Sequence, residues 1–436
     1  MSPHGVDSAL GLPAGYYLFF WKRKGATVAD IDPASATGQV EDKTPDPSAD
    51  DSAAADLADV LDETDVEPVK PKKPPRVDKL FRAMERMNAS DLHFKADSPA
   101  RVRVRGSIRA MSTGPMSNAK IEKLLFEIMT DDQRRRFEQN GAMDFAYQVS
   151  GGSRFRVNVF RQRGLCSMAA RRISSEILPY EGLHLPVSLA RLAEKHQGLV
   201  LVAGITGSGK STTIASMLEQ INKTRACHIV TLEDPIEFQY SDKKAFVNQR
   251  EIGLDVQDFH DALKYLMRQD PDVVLIGEMR DQETFAAALH AAESGHLVFG
   301  TVHANGTAGT ITRLLELFPE AARSLVRTSL VFNLQGIVCQ KLLKTIRPDV
   351  PRVPCVEVCL CNATVRKLLA DGRDADIISV IKASYGEGMV DFNESLRQLV
   401  EEEIIDTDTA YAAAPNPEEL KMKLKGINIA GAGIIG

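Results

Sequence analysis

Gly204-Ile205-Thr206-Gly207-Ser208-Gly209-Lys210-Ser211 lies between an apolar run, Leu199 to Ala203, and Thr212-Thr213-Ile214-Ala215-Ser216-Met217-Leu218, which reads as a helix. Glycines let such a backbone curl until successive amides face one oxyanion. The segment therefore reads as a strand, a phosphate-binding loop and a helix N-terminus. Gly204, Thr206, Gly207, Ser208, Gly209, Lys210, Ser211 and Thr212 are the expected nucleotide contacts. Lys210 is placed to reach the β and γ phosphates of ATP, and the Ser211 hydroxyl to complete a Mg²⁺ shell. The chain is expected to bind a nucleoside triphosphate.

Around this loop, apolar strand-like runs alternate with helical segments: Leu199 to Ala203, His228 to Leu232, Val273 to Ile276 and Leu297 to Val302. Regular βα alternation predicts an α/β fold with a mostly parallel sheet covered on both faces. From Thr307 onward the pattern turns helical, with Leu314, Leu315, Leu317 and Phe318, then Leu396, Leu399 and Val400, on apolar faces. This predicts a helical bundle over the C-terminal third. Upstream, Val77 to Ile173 reads as a small α+β domain of helix, short strands, two helices and strands. Phe81, Met84 and Met87 share a helical face there, and Arg154 to Phe160 alternates as a half-buried strand does. The expected domains are an N-terminal extension (1–75), an α+β domain (76–178), the ATPase core (179–345) and a C-terminal helical region (346–436).

The chain has 436 residues, with 53 Lys and Arg against 59 Asp and Glu and a net charge of −6, which does not favour nucleic acid as a partner. Its apolar runs are too short to span a bilayer, and Met1 to Asp7 lacks the pattern of a secretory signal, so a cytoplasmic location is expected. Cys166, Cys227, Cys339, Cys355, Cys359 and Cys361 read as free thiols. The last four lack paired C-x-x-C knuckles and read as structural thiols rather than zinc ligands. Lys22 to Pro75, rich in Ala, Asp, Ser, Pro and Glu, reads as a disordered acidic tether. The aromatic patch Tyr16 to Lys24 ahead of it is a candidate docking element or a tail of no consequence.

Several clusters fall where strands should end, which is where ligands bind in open α/β folds. Asp270 to Glu278 is an apolar strand ending in a carboxylate, and Glu278 is the expected base that orients the attacking water. Thr231 to Phe238 sets Glu233, Asp234 and Glu237 after another strand. Crowded acids repel without a cation, so Glu233 or Glu237 is a candidate to share Mg²⁺ or its water ligands, and Glu233 is also a candidate catalytic residue. His296 and His303 flank Leu297 to Val302 and are expected near the γ phosphate. Among the arginines of the α+β domain, Arg156 and Arg171 are candidates to complete a site on an adjacent chain.

Together these clusters resemble the type II/IV secretion ATPase superfamily, and within it the twitching-motility (retraction) ATPases of type IV pili, the PilT/PilU group. Gly204 to Ser211 looks like its Walker A, Glu233 to Phe238 its Asp box, Asp270 to Asp281 its Walker B, and Glu293 to His303 its His box. Ala89-Ser90-Asp91-Leu92-His93 and Arg154-Phe155-Arg156-Val157-Asn158 look like signatures of its N-terminal, PAS-like domain. The resemblance implies a RecA-like ATPase core and a homo-hexameric ring that acts on an inner-membrane platform protein to retract a pilus. Ile205 stands where the family's loop has proline, and Ala363 to Leu369 only approximates its retraction motif. His303-Ala304-Asn305 and the segment from Ala412 to Lys425 look more like the PilU side, which keeps an accessory role beside a paralogous pilus ATPase open. An assembly or type II secretion ATPase is the further alternative.

Overall fold

Alternation decides the first layer. In the computed structural model, which describes residues 74–426 apart from Arg105, Phe155, Val157 and Val159 are buried while Arg156 between them faces solvent. Helix α1 (Asp78–Arg86) leads into strands β1 (Asp91–Lys95), β2 (Arg101–Val104) and β3 (Ser107–Ala110). Helices α2 (Asn118–Phe126) and α3 (Asp131–Asn140) follow, then β4 (Ala142–Gln148), β5 (Arg154–Gln162) and β6 (Leu165–Arg172). The strands form one antiparallel sheet in the order β3-β2-β1-β6-β5-β4. Phe81, Met84, Ile121, Leu125 and Phe137 from the helices meet Leu92, Phe155, Val157 and Met168 in one core. Met87 is not part of the expected helical face. Helix α1 stops at Arg86 and Asn88 turns the backbone left-handed (φ +47°), so Met87 stays exposed.

The second layer is built on strands apolar throughout. Strands β7 (Gly198–Ala203), β8 (His228–Glu233), β9 (Phe246–Glu251), β10 (Val273–Ile276) and β11 (Leu297–Val302) are joined in parallel in the order β7-β11-β10-β8-β9. Every residue of β7, β10 and β11 is buried, as a sheet covered on both faces requires. Helices α4 (Lys210–Thr224), α5 (Phe259–Leu266) and α6 (Gln282–Glu293) make the connections. Beyond β11 come α7 (Thr307–Glu316) and α8 (Glu320–Asn333), with Leu314, Leu315 and Phe318 buried and Leu317 only partly so.

The expectation of helices alone after Thr307 is overturned by two long strands. Strand β12 (Leu334–Lys344) pairs in parallel with β7, and β13 (Arg352–Leu360) pairs antiparallel with β12, extending the sheet at that edge. The edge is then closed. Val358 and Val390 exchange backbone hydrogen bonds of 2.7 and 3.1 Å, and the amide of Val356 donates to Ser395 Oγ at 3.1 Å. Only then do helices dominate: α9 (Ala363–Ala370), α10 (Ile377–Ala383), α11 (Phe392–Glu401), α12 (Thr407–Ala413) and α13 (Pro417–Leu424). Leu396 and Leu399 are buried and Val400 is partly so. Cys339, Cys355 and Cys359 lie buried in the two added strands, and all six thiols are free. The acidic segment up to residue 73 and the aromatic patch fall outside the described residues.

Candidate nucleotide-binding and hydrolysis site

The loop after β7 has the conformation its glycines allow. Gly204, Gly207 and Gly209 sit at φ +153°, +78° and +90°. Crowding adds a second reason at two of them. A Cβ on Gly204 would lie 2.5 Å from the carbonyl oxygen of Gln340, and one on Gly209 would lie 2.6 Å from Gln340 Nε2. Gln340, on β12 and buried, is the residue that sequence reasoning missed. Its Nε2 donates to the carbonyl of Ser208 (2.7 Å) and its Oε1 accepts from Thr213 Oγ1 (2.7 Å), tying the loop to the first turn of α4. Recognising Leu334 to Lys344 as a strand beside β7 would have pointed to it.

Lys210 opens α4 and its Nζ donates to the carbonyls of Gly204 (2.9 Å) and Ile205 (3.1 Å). Burial lowers its pKa, and the charge of Glu278 opposes that shift. Thr206, Gly207 and Ser211 are exposed and Thr212 is half-buried, so this rim faces outward. Ser208 Oγ is buried with no hydrogen-bond partner among the described residues.

Glu278 lies just past β10, whose neighbour on the β7 side is β11. Arg280 Nε is 2.5 Å and His303 Nε2 is 2.9 Å from its Oε1. The hydrogen bond from Arg280 is the main reason its carboxyl is held below the usual range, and His303 adds to the effect. The structure thus brings Lys210, Glu278 and His303 to one end of the sheet.

Of the other expected members, His296 is not gathered there, while Glu233 reaches the same end of the sheet, beside Gly277, but is buried. The partners in β7 and β11 run from Gly198 beside Leu297 to Ala203 beside Val302. His296 is therefore at the far end of β11, about 20 Å from His303 by strand rise. Its Nδ1 approaches the carbonyl of Ala291 (3.0 Å) and Ser294 Oγ (3.1 Å), so it serves the turn that enters the strand. Of the carboxylates after β8, Asp234 and Glu237 are exposed while Glu233 is buried. Glu233 accepts from Thr231 Oγ1 (2.7 Å) and Gln249 Nε2 (3.1 Å), and burial raises its pKa. Strand β8 is next to β10 and three strands from β7, so Glu233 is one strand spacing, about 5 Å, further from the phosphate-loop strand than the strand that leads to Glu278.

Arg156 and Arg171 are opposite each other on β5 and β6, exposed on the face of the first sheet away from its helices. Arg171 Nε donates to Asp91 Oδ1 at 2.8 Å. Burial of Asp91 works to raise its pKa, but Ser90 and Arg171 outweigh it and hold the carboxyl low. Within one chain the first layer touches the second at Arg154, whose guanidinium is 3.4 Å from Glu251, and at a parallel bridge between Ser174 and Phe238.

A phosphate loop between a buried parallel strand and a helix, with a lysine and a strand-end carboxylate facing the same rim, defines a P-loop ATPase. The chain belongs to the type II/IV secretion system protein family, whose model matches residues 65–382. It is 40% identical over 342 residues to the type IV pilus retraction ATPase PilT of Pseudomonas aeruginosa, covering 78% of this chain and 99% of that protein. It is 37% identical over 349 residues to the type IV pilus ATPase PilU of the same organism, covering 80% and 91%. A crystal structure of the pilus retraction motor PilT with bound ADP superposes with a TM-score of 0.73 at 40% identity, over 79% of this chain and 98% of the other. Among the described residues, no helix is long and apolar enough to cross a membrane.

Proposed function

We propose that this chain hydrolyses ATP at residues 204–212 and 278 to drive retraction of a type IV pilus. The observation that carries the reading is the convergence of Lys210, Glu278 and His303 on one rim, in a chain alike over most of its length to a pilus retraction ATPase. The backbone amides of Thr206, Gly207, Gly209 and Thr212 cradle the phosphates, while the Gly204 amide stays in the sheet, donating to the carbonyl of Val302 (3.2 Å). Lys210 is freed from the loop carbonyls to neutralise the transferred group. Ionised and held by Arg280, Glu278 takes the proton of the attacking water. Mg²⁺ fits the donor present, since Ser211 offers an exposed hydroxyl at the rim beside the phosphate loop. That suits an ion carried mainly by phosphates and water, which when bound spreads the developing negative charge. Glu233, buried and hydrogen-bonded to neutral donors, supports the strand end instead.

The working form is a homo-hexamer, in which Arg156 and Arg171 of one chain complete the site of the next and nucleotide-driven closure acts on an inner-membrane platform protein. It acts in the cytoplasm, at the membrane surface. A second reading, an accessory subunit of another pilus ATPase, is favoured by the nearly equal likeness to PilU. Steady-state ATPase activity measured together with mass in solution separates the two. A hexamer that turns over ATP alone supports the motor, whereas one that binds ATP without hydrolysis supports the accessory subunit. For the arginines, mixing Arg171→Ala with Lys210→Ala chains should recover activity that neither has alone, because one kind of mixed interface then carries both defects and the other carries neither. A mixture as inactive as its components would remove Arg171 from the site.

A further inference from the structure

Strands β12 and β13 hold a second part of the site besides the phosphate loop. In their register Gln340 is opposite Val356 and Cys339 opposite Glu357, so Gln340 and Glu357 project from adjacent rungs to opposite faces of the sheet. Gln340 serves the loop and α4 on one face. On the other, Glu357, only 5% exposed, meets the N-terminus of α7: its Oε1 accepts from the Thr307 amide (2.7 Å) and the Thr307 hydroxyl (2.8 Å).

What this grip controls is the short span before α7. Between Val302, the last residue of β11, and Thr307 run only His303, Ala304, Asn305 and Gly306. The span is fixed at one end by the sheet. At the other, Gly306 takes φ +77°, its carbonyl accepts from Thr310 Oγ1 (2.8 Å), and Glu357 holds the next residue. His303 near the start of this span reaches Glu278 at 2.9 Å. Removing the buried acceptor would leave two buried donors unsatisfied and let the first turn of α7 move, shifting His303 with it.

We propose that Glu357 is a positioning residue for hydrolysis, which sets His303 against Glu278 by holding the first turn of α7. It rests on the reading of this site as the hydrolytic one. Because one oxygen takes both donors, glutamine can replace Glu357 through its carbonyl oxygen, whereas alanine cannot.

The test is a double-mutant cycle on the full chain, reading kcat and KM for ATP. Glu357→Ala is expected to lower kcat about ten- to a hundredfold, with KM within about twofold of wild type because Lys210 and the loop amides are untouched. Glu357→Gln should restore most of kcat. The Glu357→Ala/His303→Ala double variant should be no slower than the slower single variant, since both lose the same placement. Defects that multiply, or a glutamine variant as slow as the alanine one, overturn the proposal while leaving the site reading intact. Wild-type turnover in His303→Ala removes His303 from the reaction and this proposal with it. Should Glu357→Ala fail to fold, Thr307→Val deletes one donor instead. It should lower kcat in wild type but not in His303→Ala, and an equal loss in both overturns the proposal.

Discussion

The ends of β8 and β10 are neighbours in one sheet, with Leu232 paired to Ile276, and each carries a glutamate within two residues of that rung. Their surroundings push the two acids in opposite directions. Glu233, the last residue of its strand, is enclosed with neutral donors, and burial raises its pKa. Glu278 is carried just beyond the strand, where Arg280 and His303 hold it ionised and its charge acts on Lys210. A carboxylate at a strand end here acquires its surroundings from how far past the last buried rung it stands. Glu278 is held ionised and oriented by Arg280 and His303, whereas Glu233 is held by the neutral donors Thr231 and Gln249.

The sharpest way to break this contrast is to remove each charge while keeping its shape. Glu278→Gln should lower kcat by about 10²–10⁴-fold with nucleotide affinity nearly unchanged, measured by steady-state turnover and equilibrium titration. A larger loss from Glu233→Gln would reverse the assignment. Second in size, Glu233→Ala strands the Thr231 hydroxyl and the Gln249 amide, at about 1–3 kcal/mol of stability, read by denaturant unfolding.

Two pH effects sharpen it further. Because Glu233 has a higher pKa folded than unfolded, the folded state holds its proton longer, and stability contributed by the protonated form is lost as pH rises from the ordinary glutamate range through the folded value. Glu233→Gln removes that loss, so the variant should gain on wild type in unfolding measurements at neutral pH and not at acid pH. The smallest effect is expected from Arg280→Ala. It releases Glu278 toward its ordinary pKa, so the acid limb of kcat/KM moves to higher pH, and an unmoved limb would mean that Glu278 is not the titrating base.

Legibility in the sequence followed the range over which each feature is encoded. The phosphate loop could be read because its glycines, lysine and hydroxyl are contiguous and their chemistry is local. Strand β10 was legible for a similar reason, since Val273 to Ile276 is an unbroken β-branched and leucine run before Gly277-Glu278. Strand β12 was not, because Leu334, Ile337 and Val338 also have the spacing of a helical stripe and Gln340 and Lys341 interrupt the apolar run. Its identity is settled by pairing with β7, more than a hundred residues earlier. Missing β12 meant missing Gln340. His296 failed for a metric reason: a strand with a histidine at each end places only one of them at the ligand. For Arg156 the alternation of Arg154 to Phe160 was legible, but not that Arg171 sits opposite it.

The bridge between Val358 and Val390 bears on how the protein behaves at high concentration. Strand β13 is long, rich in valine and outermost in its sheet, the kind of edge on which another extended chain can add itself. Val390 and the Ser395 hydroxyl occupy its outward hydrogen-bonding groups at Val356 and Val358, midway along the strand. The segment that leads into α11 thus also acts as a stopper against edge-to-edge aggregation.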